Sequence, residues 1–378
     1  MSSRAGLPAI RRPPCRSCGG CSGQSTSASW RSIAGSLTCP TTRSRPGPSA
    51  SARRRAERVL PPIRPDSAEP GREDWFAEPA YAGCQQRYRV LQRLHAQTTP
   101  WQSLEVLELE GPGRALILGG TLQTSVNEEF TYHEQLVHIP MFAHANPHRV
   151  LIVGGGDGGA LRHVLLHQGV DRALEVEIDQ TVVEVSLRFL PEISGGAYSD
   201  PRAELKIQDG AQFLAETSER FDVILIDSTD PVGPAAALTS DEFLRNAHRG
   251  LAPGGLIAMQ SGSPISQPRE WLSTVRAFKR EFRIVKPYLG YVPIYPAMLW
   301  SWVVGSDEVD PTSFDEVSVR SRLDGLGTEL RIYNPGLHRA AFALPNFVQA
   351  LLKLIDRDEA PTAAHLRAAG HPLPGVLA

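Results

Sequence analysis

The sequence predicts an α/β fold, a mostly parallel sheet preceded by a small antiparallel β domain, on three observations. From about residue 149 onward, short apolar runs of the buried-strand kind alternate with amphipathic helical stretches. A glycine cluster, Gly154-Gly155-Gly156-Asp157-Gly158-Gly159, separates the first of those runs from the first helix. Upstream, two runs of alternating polarity flank Gly111-Pro112-Gly113, the mark of a β-hairpin.

The elements follow in chain order. Residues 1–70 read as a disordered tail rich in Arg, Ser and Pro, with few aliphatic residues and clusters such as Arg53-Arg54-Arg55. Such an acid-poor, Arg-rich start also has the character of an organelle transit peptide, or of a translation start placed too far upstream. With only four Lys against 35 Arg, the whole chain has the bias of GC-rich coding.

From Asp74 the texture changes, and a small β domain is expected over residues 74–125. Its hairpin pairs Ser103–Glu110 with Arg114–Leu118. The Rossmann-like domain, of the type found in methyltransferases, is expected over residues 126–355, with a C-terminal tail at 356–378. It opens with a helical piece over Glu134–Phe142. Strands are then predicted at Arg149–Val153, Ala173–Ile178, Ala203–Ile207, Asp222–Ile226 and Leu256–Gln260. The helix after the first strand presents Leu161, Val164 and Leu165 on one face. The helix after the second presents Val183, Leu187 and Leu190 and stops at Pro191.

Composition excludes some functions. No apolar run approaches the length that spans a bilayer, so a membrane role is not expected. The net charge of −2 conceals a division: residues 1–65 carry twelve Arg and one acid, Glu57, leaving 27 bases against 40 acids in the body. An acidic body disfavours nucleic acid and attracts cations. Cys15, Cys18 and Cys21 form a C-x-x-C-x-x-C series, but the Ser/Pro/Gly-rich segment offers no scaffold for thiolate ligands. No metal site and no disulfide framework are expected.

The glycine cluster fits G-x-G-x-x-G, which allows a tight turn and close approach of backbone N–H groups to a ligand. Alone it is a weak signal. Glu177 closes the next predicted strand, where a carboxylate accepts from ribose hydroxyls. Asp209-Gly210 follows the third strand, where a carboxylate accepts from an adenine amino group. Together these describe an adenosine site, suited to a sulfonium nucleoside as readily as to a dinucleotide. Asp157 is unusual, because a charge beside a ligand-facing backbone is costly unless a cation meets it. The fourth strand ends in Asp227-Ser228-Thr229-Asp230-Pro231, two acids at the sheet edge where ligands bind, in residues that also favour turns and caps.

In order, Glu129–Glu134, Gly154–Gly159, Val176–Asp179, Asp209-Gly210, Asp227–Pro231, Pro293–Pro296 and Phe342–Phe347 resemble the polyamine aminopropyltransferases of the spermidine synthase type. The resemblance spans residues 74 to about 355. It implies transfer of an aminopropyl group from decarboxylated S-adenosylmethionine, as co-substrate, to putrescine or a related amine, with no further cofactor. It places Gln102, Asp157, Glu177, Asp209 and Gly210 on the donor. Around the acceptor it places Tyr132, His133, Asp230 and Tyr295, with Asp227 as the base. It further implies a homodimer or homotetramer; a cytoplasmic location, with the Arg-rich tail as the one dissenting feature, and small-molecule partners only are expected beside it.

Several positions depart from that pattern. Glu128 stands where Asp is common, Gly119 replaces an Asp, and Ala297-Met298 replaces Ser-Gly or Thr-Gly. Ala235–Thr239 lacks an aromatic residue after Leu238. The bulk of Met298 is expected to reshape the acceptor end. The competing readings are a methyltransferase, which predicts a small neutral residue in place of Asp157, and a non-catalytic polyamine-binding protein.

Overall fold

The computed structural model describes residues 74–81, 83–229 and 233–377. The expected tail at 1–70, its Cys15, Cys18 and Cys21, and Asp230 lie outside the described residues.

Five strands come first: β1 (Trp75–Tyr81), β2 (Cys84–Thr98), β3 (Ser103–Leu109), β4 (Gly113–Leu118) and β5 (Thr121–Ser125). They pair antiparallel in simple sequence order. The expected hairpin is β3–β4, with Leu104 opposite Leu118 and Leu109 opposite Gly113. Both faces of β3 and β4 are buried: Leu104, Val106, Leu116 and Leu118 on one, Leu107, Leu109, Ala115 and Ile117 on the other. The 15-residue β2 is foreign to the sequence reading, because its run of Gln and Arg hides a strand whose residues are largely solvent-facing.

The long helix α1 (Phe130–Ala143) leads into the α/β part and begins four residues earlier than predicted. There follow β6 (Arg149–Gly154), α2 (Gly159–Leu165), β7 (Arg172–Glu177), α3 (Gln180–Phe189), α4 (Pro191–Ser194), β8 (Ala203–Ile207), α5 (Gly210–Glu216) and β9 (Phe221–Asp227). After a 3-10 turn at Gly233–Thr239 come α6 (Asp241–Arg249), β10 (Leu251–Gly262), α7 (Pro268–Glu281), β11 (Ile284–Tyr291) and β12 (Leu299–Ser306). The chain continues through α8 (Glu316–Asp324), α9 (Pro335–Ala341), α10 (Asn346–Asp356) and α11 (Ala363–Ala368).

The second sheet has the order β11-β12-β10-β9-β6-β7-β8. Strands β10, β9, β6, β7 and β8 run parallel, and β12 and β11 join antiparallel at one edge. Side chains alternate between two buried faces, as a sheet covered on both sides requires. In β6, Val150 and Ile152 enter one core while Leu151 and Val153 enter the other. The chain leaves β6 toward β7 and β8, then returns to place β9 on its other side. The carboxyl ends of β6 and β9 thus form the topological switch point, where such sheets bind ligands.

Two expectations need correction. Leu187 is 43% exposed and takes no part in the buried face of α3, which is made by Val182, Val183, Val185 and Ser186. A helix turns 3.6 residues per turn, and Val182 and Val185 meet the face of the β1–β5 sheet that carries Leu104 and Val106. The expected tail at 356–378 is also packed: Leu366 of α11 is fully buried against α7 and α10, beside Trp271 and Leu351.

Candidate active site

Gly154 is the last residue of β6 and pairs with Asp227, the last of β9. Its φ is +81°, and a Cβ there would run into the Asp227 carbonyl, so only glycine lets the two strand ends sit this close. The glycine loop and the Asp227 carboxylate therefore share one rim. They border a cleft enclosing about 990 Å³ of non-protein space, some of it open to solvent.

Asp157 projects from the loop and accepts the Gly159 N–H at 2.7 Å, closing the turn into α2. Glu177 ends β7 with one oxygen on the Gly156 N–H (3.2 Å) and the other on the Asp179 N–H (2.8 Å). Burial pushes its pKa up to about 7 against the pull of those backbone donors. Asp209 caps α5, its Oδ1 accepting from Ala211 and Gln212. Gly210 packs on Val153, whose methyl would overlap any Cβ at that position. Gln102 closes a short turn with Thr99 ahead of β3. These five, Gln102, Asp157, Glu177, Asp209 and Gly210, all line the cleft, together with Gly154, Val176 and Leu238.

The other end of the cleft is aromatic. Tyr132 of α1 is buried with its ring against Tyr295 (5.8 Å between centroids) and Trp302 (5.6 Å). Tyr295 donates its hydroxyl proton to the Gln123 carbonyl at 2.7 Å, so toward other groups its oxygen acts as an acceptor. A second cavity continues beyond it past Glu78, Gln260 and Trp300. Trp101 is 43% exposed at the mouth, while Trp300 and Trp302 are buried, as pocket wall and core residues.

Asp227 Oδ2 is buried without a hydrogen-bond partner. Burial raises its carboxyl pKa to about 6, with His133 and the Tyr132 hydroxyl opposing and Asp157 adding to the rise. His133 stands between the two acids, its Nε2 3.5 Å from Asp157 Oδ1 and 3.9 Å from Asp227 Oδ2. The residue assigned by resemblance to the acceptor thus also borders the donor loop. Its ring fills the space over Gly159, where a Cβ would overlap it.

Sequence reasoning missed what holds His133. Glu129, one helical turn earlier, accepts from His133 Nδ1 at 2.8 Å and takes Arg162 of α2 at 2.6 Å on its other oxygen. Burial works against the Glu129 charge, but His133, the nearby His163 and Arg162 hold its pKa well below the carboxylate range. The i, i+4 spacing of Glu129 and His133 was a usable signal; the 33-residue step to Arg162 was not. Glu175 was missed too. It is fully buried beside Glu177 and accepts from Tyr198 at 2.7 Å, with burial raising its pKa well above the usual range.

Two of the departures are now placed. Ala235 and Leu238, from the 3-10 turn, line the cleft as its outer wall. Met298 does not crowd the acceptor end as expected: it is 48% exposed and lines neither cavity. Instead Ala297 and Met298 both adopt positive φ, 65° and 56°, in the tight turn closed by Met298 N–H on the Tyr295 carbonyl. Among the described residues no group of His, Cys, Asp or Glu is arranged to hold a metal ion, and no helix is long and apolar enough to cross a membrane.

Residues 129–316 match the spermine/spermidine synthase domain, and residues 74–125 match the spermidine synthase tetramerisation domain. A polyamine aminopropyltransferase of Caldicellulosiruptor bescii is 42% identical over 281 residues, covering 74% of this chain and 99% of its own. The enzyme of the same description from Bacillus subtilis is 38% identical over 281 residues, again 74% and 99%. A spermidine synthase solved with the transition-state analogue AdoDATO superposes with a TM-score of 0.71 at 35% identity, covering 76% of this chain and 97% of that one. The spermidine synthase of Thermotoga maritima gives 0.70 at 35% identity, with 76% and 96% covered. On this fold, this cleft and these matches, the chain belongs to the spermine/spermidine synthase family and is an aminopropyl-transferring enzyme of polyamine biosynthesis.

Proposed function

We propose that the cleft takes decarboxylated S-adenosylmethionine as donor and putrescine, or a closely related diamine, as acceptor, giving spermidine and methylthioadenosine. The observation that carries this reading is the pair of largely enclosed acids, Asp157 and Asp227, facing one space beside a nucleoside-type pocket. Two carboxylates there are suited to two cationic groups, one on each substrate.

In this reading Glu177 accepts from the ribose hydroxyls, and Asp209 with Gly210 meets the adenine edge. Asp157, helped by Gln102, holds the ammonium of the aminopropyl arm. Tyr132, Tyr295 and His133 shape the acceptor end, where Asp230, outside the described residues, anchors the far ammonium. A protonated amine has no lone pair. Asp227 Oδ2, buried and without a partner, takes one N–H proton. The freed pair forms the N–C bond to the aminopropyl carbon as the C–S bond breaks, and its electrons neutralise the sulfonium. The product nitrogen keeps the positive charge. Alignment of nitrogen, carbon and sulfur supplies most of the acceleration, because the leaving thioether needs no activation.

We further propose a homo-oligomer, dimer or tetramer, acting in the cytoplasm; the match of residues 74–125 to a tetramerisation domain supports the first part. Mass spectrometry of products from the purified enzyme, the donor and a panel of amines tests the substrates. Methylthioadenosine with one aminopropylated diamine is expected. Turnover confined to amines without a second ammonium would contradict the acceptor assignment.

A further inference from the structure

We propose that His133 is an exchangeable internal cation. Its imidazolium neutralises Asp157 and Asp227 before substrates bind, and arrival of the donor's own positive charge expels its Nε2 proton to solvent. Neutral His133 can then receive the proton that Asp227 strips from the acceptor. The inference rests on the reading that the donor carries an ammonium to Asp157.

The geometry supplies each part. His133 is 2% exposed and wedged among charges from four segments. Glu129, at the start of α1, accepts from its Nδ1 at 2.8 Å. Asp157, on the glycine loop, lies 3.5 Å from Nε2, and Asp227, at the end of β9, lies 3.9 Å from it. From α2, His163 stacks on the ring at 6.3 Å, and Arg162 reaches Glu129 rather than the imidazole. The Tyr132 ring meets His133 edge-on at 5.4 Å, with Tyr295 behind it.

The two ring nitrogens therefore have different duties. Nδ1–H is committed to an ionised Glu129 that Arg162 also clamps, so this proton stays. Nε2 faces two acids that prefer a positive neighbour, so this proton can leave when another cation takes over. Burial alone would discharge the ring, but Asp157, Glu129 and Asp227 outweigh it and raise the pKa to about 9. His163 and His138 behind it are driven the other way by burial, so no second imidazolium competes.

A donor ammonium hydrogen-bonded to Asp157 lies roughly 4–6 Å from Nε2, where repulsion between like charges in a protein lowers the imidazolium pKa by about two to three. That discharges His133 at neutral and mildly alkaline pH. The proton balance closes: one proton goes to solvent on donor binding. Later the acceptor's N–H proton passes to Asp227 Oδ2 and on to the vacant Nε2 lone pair, restoring the imidazolium.

Calorimetric titration of the whole enzyme in two buffers of different ionisation enthalpy, near pH 8, counts the protons. Decarboxylated S-adenosylmethionine is expected to release about one proton per site, because His133 is charged there and lies beside the incoming ammonium. Methylthioadenosine shares the ribose and adenine but carries no charge, and is expected to release almost none. This comparison needs only the wild-type chain, and any proton lost from Glu177 cancels in it. His133→Gln is expected to abolish the difference between the two ligands. Equal release by both ligands, or undiminished release in His133→Gln, overturns the proposal while leaving the donor assignment intact if turnover persists. Failure of the donor to bind at all overturns the donor assignment and this proposal together.

Discussion

Gly154 and Asp227 are opposite one another across the β6–β9 ladder, so close that a Cβ on the first would strike the backbone carbonyl of the second. The residue that opens the nucleotide loop and the residue proposed as base are thus parts of one rigid strand-end pair. Neither can move without the other. Gly154→Ala should show this, because it adds a strained positive φ to a backbone collision. The expected loss is about 2 kcal/mol or more in urea unfolding, with kcat falling beyond what donor affinity explains.

Asp157 is expected to choose the donor. Its charge favours an ammonium and repels a carboxylate, so it opposes intact S-adenosylmethionine. Asp157→Asn should weaken binding of the decarboxylated donor by roughly 100-fold, on the order of one buried charged hydrogen bond. Binding of intact S-adenosylmethionine should hold or improve. Calorimetry with both nucleosides checks it, and an unchanged preference would remove this role.

Glu175 gives a stability prediction whose sign depends on pH. Its carboxyl pKa is raised in the folded protein, chiefly by burial and with Glu177, Asp157 and Asp227 adding to it. A raised carboxyl contributes stability fully below its unfolded pKa, and that contribution is lost as pH rises toward the folded value. Glu175→Gln keeps an acceptor for Tyr198 and does not titrate. The variant should therefore gain on the wild type as pH rises from 5 to 8, by up to about 1.4 kcal/mol per pH unit. Urea melts at the two ends of that range measure it.

The turn at Ala297-Met298 carries strain that glycine would relieve. Ala297 has φ 65° and lines neither cavity. Ala297→Gly should stabilise the protein by about 0.5–1 kcal/mol, read as a higher Tm. The acceptor preference should stay as it is.

Much of this molecule could be read from local sequence. The glycine loop, Glu177 and Asp209 each stand at the end of a parallel strand and before a helix, so a few adjacent residues declare their place. Both Asp179 and Asp209 proved to be helix caps as well as strand-end acids. What escaped was long-range or disguised. The clamp of Arg162 on Glu129 joins α2 to the start of α1, and no window of sequence contains it. Strand β2 is polar along most of its length and carries no apolar alternation to mark it, yet its backbone finds partners on both sides. Leu187 was assigned inward by spacing, but the surface that α3 covers turned out to lie toward Val182 and Val185. The likeness to known enzymes is what assigned Tyr132, His133 and Tyr295 to an acceptor, and the structure adds that the Tyr295 hydroxyl donates to Gln123 and that His133 faces both acids.

The most direct test of the account is the pH dependence of aminopropyl transfer by the wild type beside Asp227→Asn. Spermidine and methylthioadenosine are followed together at saturating donor. Asp227 must be ionised to take the acceptor's proton, so kcat/KM for the amine should fall as pH drops below the carboxyl's value of about 6. Asp227→Asn should bind donor normally yet lose roughly 100- to 10,000-fold in kcat, the usual worth of a positioned base. Near-normal turnover by Asp227→Asn, with the same acid limb, would contradict the account at its centre.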